Sequence, residues 1–142
     1  MNFSITLSNN RKSFAPGDVI EGDVVYFDRD ASDQTLSVRL IWFTTGKGDR
    51  DVEIVEMTEI DCTEGITKGT QSFRFTAPHR PLTFSGKLIA LTWAIEAVAF
   101  PSEQTDLCEL TITHDGEPIR LSDQSAALVE HKLAQSWFKF TK

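Results

Sequence analysis

The segment Lys87-Leu-Ile-Ala-Leu-Thr-Trp-Ala-Ile-Glu-Ala-Val-Ala-Phe100 limits what this chain can become more than any other stretch. Its uncharged part, Leu88 to Ile95, is bounded by Lys87 and Glu96, far short of the roughly 20 residues that carry a helix across a bilayer. It is rich in β-branched, aromatic and small residues and has no Pro or Gly, which points to a long buried strand. Ile89, Leu91, Trp93, Ile95 and Ala97 share one parity and so one face. Extended from Lys87 to Phe100, the run spans on the order of 45 Å at ~3.3 Å per residue. A strand that long must bend or serve more than one part of a core. Glu96 falls on the opposite parity, where solvent is expected. Pro101 ends the run.

The same period of two governs the rest of the first 115 residues. Phe3, Ile5 and Leu7 alternate with Asn2, Ser4 and Thr6, giving one apolar and one wet face. After the polar loop Ser8–Ser13, Ala15-Pro-Gly-Asp18 makes a turn: Pro16 presets φ, and Gly17 can take φ > 0. Asp18 to Phe27 follows as a strand with Ile20, Val24 and Tyr26 on one face. Gly22 lies between them and predicts a bulge or a close neighbour.

After a charged connection (Asp28–Asp33), Leu36, Val38, Leu40 and Trp42 face inward, with Ser37 and Arg39 outward. Gly46–Arg50 reads as a hairpin loop. Val52 and Ile54 then have one parity and Val55 and Met57 the other, so a bulge between them would bring both sets to one core. Glu56 to Glu64 is acidic and suits an edge or a loop. Thr70 to Ala77 places Phe73 and Phe75 inward, and Leu107 to Thr113 does the same for Cys108, Leu110 and Ile112. Seven strands with short turns and no intervening helices predict an all-β, antiparallel, immunoglobulin-like sandwich. The Cys…Trp…Cys pattern of antibody domains is absent.

A chain of 142 residues suits one domain and can bury about 68% of its unfolded surface. Its net charge of −7 argues against nucleic acid, whose phosphates call for clustered Lys and Arg, and against a polybasic membrane anchor. No direct membrane insertion is expected. The amino terminus alternates and has no basic region with an apolar core, so it does not read as a signal peptide. Cys62 and Cys108 lack metal-type spacing, and the default is two reduced thiols in a cytoplasmic protein.

Few residues have the spacing that chemistry requires. His79, His114 and His131 show no metal-ligand spacing. There is no Gly-x-Ser-x-Gly elbow, and Gly65–Thr70 lacks the Walker A spacing. The carboxylates are scattered over outward positions and loops, as solvated groups are. No cofactor, metal or catalytic residue is expected, and the chain does not read as an enzyme.

Two segments carry a resemblance. Phe3–Leu7 followed by Phe14-Ala-Pro-Gly-Asp-Val-Ile-Glu-Gly-Asp-Val25 resembles the opening of an arrestin-type domain. There an amphipathic strand leads through a Pro-Gly-acidic turn into an apolar-x-Gly-x-Val strand. Phe73-Arg-Phe75, Pro78 and Pro81-Leu-Thr-Phe-Ser-Gly86, followed by a strand bearing Trp93, resembles the family's second pattern. The motif positions are thus Pro16, Gly17, Asp18, Gly22, Pro81, Phe84, Gly86 and Trp93. The resemblance implies a turn that aims a long strand across the sandwich, with Trp93 filling its centre. It also implies a binding or adaptor module, since arrestins, retromer subunits and bacterial sporulation-control proteins use such sandwiches to hold other proteins. This chain departs from the adaptors in having room for one sandwich where they have two. A buried Arg-Asp polar core is not matched, so phosphate sensing is not carried over.

The expected organisation is a sandwich over 1–115 and a tail over 116–142. A short helix is expected from about Asp123 to Gln135 on the stripe Ala126, Leu128, Val129, Leu133 and Trp137, capped by Ser122. It ends in an extended Trp137, Phe138 and Phe140 that docks elsewhere. The candidate partner-binding residues are Arg11, Lys12 and Phe14, in a basic loop where some family members place theirs, together with Trp137 and Phe138. A protein partner, or a second copy in a homo-oligomer, would be met through loops or a sheet edge. A small-ligand or carbohydrate-binding sandwich is the alternative; it requires exposed aromatics on a concave sheet.

Overall fold

The computed structural model describes residues 2–27, 33–46, 50–61 and 68–121, and in them the alternating segments become strands. In chain order these are β1 (Asn2–Leu7), β2 (Ser13–Phe14), β3 (Val19–Phe27), β4 (Thr35–Gly46) and β5 (Val52–Asp61). They continue with β6 (Lys68–Thr76), β7 (Phe84–Ser85), β8 (Ile89–Phe100), β9 (Thr105–Ile112) and β10 (Ile119–Arg120). A 3-10 turn at Ser8–Asn10 follows β1. The smaller sheet has the order β1-β3-β6 and the larger β10-β7-β8-β4-β5, with β9 paired to β8 and β2 paired to β9. This is the expected all-β sandwich. It is antiparallel apart from two short parallel pairs, β2 with β9 and β7 with β10, which side-chain periodicity did not announce.

The long apolar run is one strand. All twelve residues of β8 pair with β4, from Gly46↔Ile89 to Thr35↔Phe100. On its other edge β8 pairs with β7 first and then with β9. One strand thus joins most of the larger sheet, which explains its length.

The core lies between the sheets. Leu36, Val38, Leu40 and Trp42 of β4 and Leu91, Trp93, Ile95 and Ala97 of β8 pack with Ile20, Val24 and Tyr26 of β3 and Phe73 and Phe75 of β6. Cys108 sits at the core margin with Phe3 and Ile5. Burying each large apolar side chain contributes about 1.5–3 kcal/mol against its lost entropy.

Gly22 is a close approach and not a bulge. The ladders run through it without a shift, opposite Leu7 on one side and Phe73 on the other. A Cβ there would lie 2.7 Å from Phe73 Cζ and would also strike the Thr6 carbonyl.

The bulge expected in β5 is real, but its consequence differs from the expectation. Ile54 faces Ile41 and Glu56 faces Leu40, so Val55 is the extra residue. This does bring Val52, Ile54 and Met57 to one face, but it is the face shared with Phe43, Ile41 and Arg39, turned away from the core. The inner positions of β5 are Glu53, Glu56, Thr58 and Ile60, and of these only Ile60 is buried.

Ser37, expected outward, does point outward and is nevertheless buried. β10 continues the larger sheet to Arg120, within the segment read as tail. The helix expected from Asp123 to Gln135, and Trp137, Phe138 and Phe140, lie outside the described residues.

Candidate functional site

The Pro-Gly-Asp turn forms as its residues dictate. The Asp18 amide donates to the Ala15 carbonyl (3.0 Å), and Gly17 takes φ 89°, as the third position of a type II turn requires. The turn is tied to the end of β6: Gly17 N–H donates to the Ala77 carbonyl and Ala77 N–H to the Asp18 carbonyl, both at 2.8 Å. The Asp18 side chain accepts from the Ala15 amide (2.9 Å) and from the Arg11 guanidinium. Those two donors, the amide first, hold its carboxyl below the usual range.

Arg11 is therefore engaged within the chain. Besides Asp18, it donates from Nε to the Ser13 carbonyl (2.8 Å) and lies 4.5 Å over the Phe14 ring. Phe14 is 3% exposed in the core, so its ring is not on the surface where a partner would meet it. The loop backbone is stitched to β9: the Thr111 amide donates to the Lys12 carbonyl (2.8 Å) and that of Thr113 to the Phe14 carbonyl (3.1 Å). Lys12 stays exposed, with Nζ 3.5 Å from the free thiol of Cys108. Two of the three candidate residues in this loop thus build the fold.

The second motif is also structural. Trp93 is fully buried, and its indole Nε1–H donates to the Pro81 carbonyl at 2.8 Å. Thr83 is fastened to Ile112 twice: its amide donates to the Ile112 carbonyl and its Oγ1 accepts from the Ile112 amide, both at 2.9 Å. Phe84 is buried opposite Leu91. A Cβ on Gly86 would lie 3.0 Å from the Ile89 carbonyl, so a side chain there would make the neighbouring backbone give by a few tenths of an ångström. The turn is locked to the strand it launches.

Glu96 does not face open solvent. The register sets Arg39 directly opposite it, with Nη1 3.5 Å from Oε1 and both side chains mostly covered. Arg39 also donates to Ser37 Oγ (3.1 Å) and lies 5.7 Å over the Phe100 ring. A further buried acid went unnoticed in the sequence. Asp33 is 3% exposed and accepts from the Ser102 amide (2.9 Å) and hydroxyl (2.8 Å). Burial pushes its carboxyl up, but the hydrogen bonds prevail and hold it below the ordinary value.

The surface feature with most capacity for function is β5. It ends the larger sheet and, among the described residues, pairs with β4 alone. From Val52 to Glu59 its open side presents alternate N–H and C=O groups outward, whereas Ile60 and Asp61 make further interactions. Val52, Ile54, Val55 and Met57 on it are 54, 47, 39 and 50% exposed. Four of the exposed large apolar residues thus gather on one ten-residue strand, flanked by Glu53, Glu56, Glu59 and Asp61. The basic loop sits at the opposite margin, beyond β9. From the sequence a bulge was expected to turn both apolar sets of this segment to the core, with Glu56 to Glu64 an acidic edge or loop; alternation alone could not say which face met the core.

Among the described residues no group of three or more His, Cys, Asp or Glu converges as a metal site. No helix among them is long and apolar enough to cross a membrane. His79 and His114 are exposed, and His131 lies outside the described residues. Phe27 is the one aromatic among the described large hydrophobic residues that are exposed.

The chain is similar in structure to Spo0M, a sporulation control protein from Bacillus subtilis, with a TM-score of 0.48 and 15% identity. The likeness covers 78% of this chain and 48% of that one, so the chain spans about half of Spo0M's length. No family model matches the chain, and no curated protein does.

Proposed function

We propose that this chain is a non-enzymatic, arrestin-like binding module acting as a cytoplasmic adaptor, and that it holds a protein partner by adding the partner's strand to β5. The observation that carries this reading is the one-sided pairing of β5 over Val52–Glu59 together with its four exposed apolar side chains. In strand addition the backbone supplies affinity and alternate side chains supply selectivity. Val52, Ile54 and Met57 would give an incoming strand an apolar row. The surrounding carboxylates would favour a partner segment carrying Lys or Arg. A second copy pairing through the same edge is the homo-oligomeric form of this mechanism. The arrestin-like part of the reading rests on the two motifs, whose turn and Trp93 take the places the resemblance implies. No nucleic acid, lipid or cofactor is invoked. A carbohydrate platform is not adopted, because the exposed apolar residues of β5 are all aliphatic.

The test compares wild type with the Ile54→Lys/Met57→Lys variant as bait in native cell extract, with light scattering to read self-association. Edge lysines block strand addition while leaving β4–β5 pairing intact. The reading expects a partner, or a dimer, that wild type holds and the variant loses. A partner that both retain equally would overturn it.

A further inference from the structure

The smaller sheet also ends on a strand paired on one side. Among the described residues β6 pairs with β3 alone. It touches β5 across the gap between the sheets, so both open edges run along one margin of the sandwich, about 10 Å apart as packed sheets are. The backbone bonds fix which residues of each edge face outward. Ala77 N–H donates to the Asp18 carbonyl. Because the ladder alternates, Lys68, Thr70, Ser72 and Arg74 turn their N–H and C=O groups away from β3. Thr44 N–H donates to the Asp51 carbonyl, which in the same way leaves Val52 and Ile54, and beyond the bulge Met57 and Glu59, turned away from β4.

The two edges carry opposite charge. Val52–Asp61 holds Glu53, Glu56, Glu59 and Asp61 and no Lys or Arg, whereas Lys68–Thr76 holds Lys68 and Arg74 and no Asp or Glu. Lys68 is exposed, and Arg74 lies 3.6 Å from Glu21 with 70% of its side chain open to solvent. Two copies can meet along this margin about either of two symmetry axes. A two-fold normal to the sheets sets β5 against β5 and β6 against β6, which opposes like charges across each new strand pair. A two-fold along the strands sets β5 of each copy against β6 of the other, which opposes unlike charges. Either contact is isologous and closes at two chains; charge decides between them.

We propose that the strand β5 receives is β6 of a second copy, whose own β5 receives β6 in return, so that two chains join both sheets edge to edge. Lys68 and Arg74 then supply the cations that the carboxylates of β5 call for. The inference rests on the β5 reading for one of its two edges and adds β6 as the other.

The test is sedimentation of the full chain from micromolar to millimolar concentration, where wild type is expected to run as a dimer. The Lys68→Glu/Arg74→Glu variant makes both edges acidic, and the Glu53→Lys/Glu56→Lys/Glu59→Lys variant makes both basic. Each should dissociate at least about tenfold more readily, because like charges then face one another at every edge. An equimolar mixture of the two variants should regain the wild-type mass as a mixed dimer, which also shows that both are folded. A monomeric wild type, a dimer that the Lys68→Glu/Arg74→Glu variant retains, or two variants that melt as wild type does and fail to combine would each overturn the proposal. The β5 reading is judged separately: a protein or a dimer that wild type holds and Ile54→Lys/Met57→Lys loses leaves it standing with a different occupant.

Discussion

Replacing Trp93 with Phe separates the packing of the long strand from its lock to the turn. The indole is fully buried and donates to the Pro81 carbonyl at 2.8 Å. Phe removes that donor and leaves a buried acceptor unpaired, which costs about 1–3 kcal/mol. The smaller ring also gives up roughly two methylene equivalents of buried volume, about 1.5 kcal/mol at ~0.8 each before any cavity. The expected destabilisation is therefore about 3–4 kcal/mol. With a urea m-value of about 2 kcal/mol/M for a chain this size, the unfolding midpoint should fall by about 1.5–2 M. Phe84→Leu, which loses volume beside the same turn but no polar atom, should cost less than half as much. In wild type the Trp93 indole proton should exchange with solvent only on global opening. A cost for Trp93→Phe equal to that of Phe84→Leu, or rapid indole exchange in wild type, would refute the lock.

Other outcomes follow from the same fold. Asp33 has its carboxyl held below the ordinary value by the Ser102 donors. Its contribution to stability is thus complete above the unfolded pKa of about 3.9 and fades as pH falls through the lower folded value. Asp33→Asn should then cost about 1–2 kcal/mol at neutral pH, and acid titration of both proteins should show the gap closing below about pH 4. Gly22→Ala drives a methyl into Phe73 and the Thr6 carbonyl. Overpacking of about 1–3 kcal/mol less a chain-entropy gain of about 0.4–1 should lower the melting temperature by roughly 3–6 °C in a thermal scan. A double-mutant cycle on Arg39 and Glu96 should return a coupling of only about 0.5 kcal/mol, because the pair is partly solvated.

What could be read from the residues was whatever imposes a period or forbids a conformation. The alternation in β1, β3, β6 and β8 placed the core, and Pro16-Gly17 placed its turn, because those effects act within a few residues. Gly22 showed that a side chain was unwanted, though not that Phe73 was the reason. Interactions made across the fold were hidden. β2 and β10 exist through backbone hydrogen bonds to β9 and β7, which leave no trace in side-chain order. Glu96 looked like a solvent-facing charge because Arg39 reaches it only through the β4–β8 register. Asp33 meets Ser102 across 69 positions. For β5 the bulge was legible in the parity switch, but which face it served depended on the strand lying at the end of a sheet. The candidate site was read least well. Arg11 and Phe14 were singled out because the resemblance places a basic loop there, and the fold uses both internally.

The account stands or falls most directly on amide hydrogen exchange along β5, measured in the free chain and in complex with the partner that wild type captures. It predicts that the outward-pointing amides between Val52 and Thr58 exchange quickly in the free chain and become strongly protected in the complex, while Lys12 to Phe14 do not change. New protection confined to the basic loop, or β5 amides as slow in the free chain as those of β8, would contradict it.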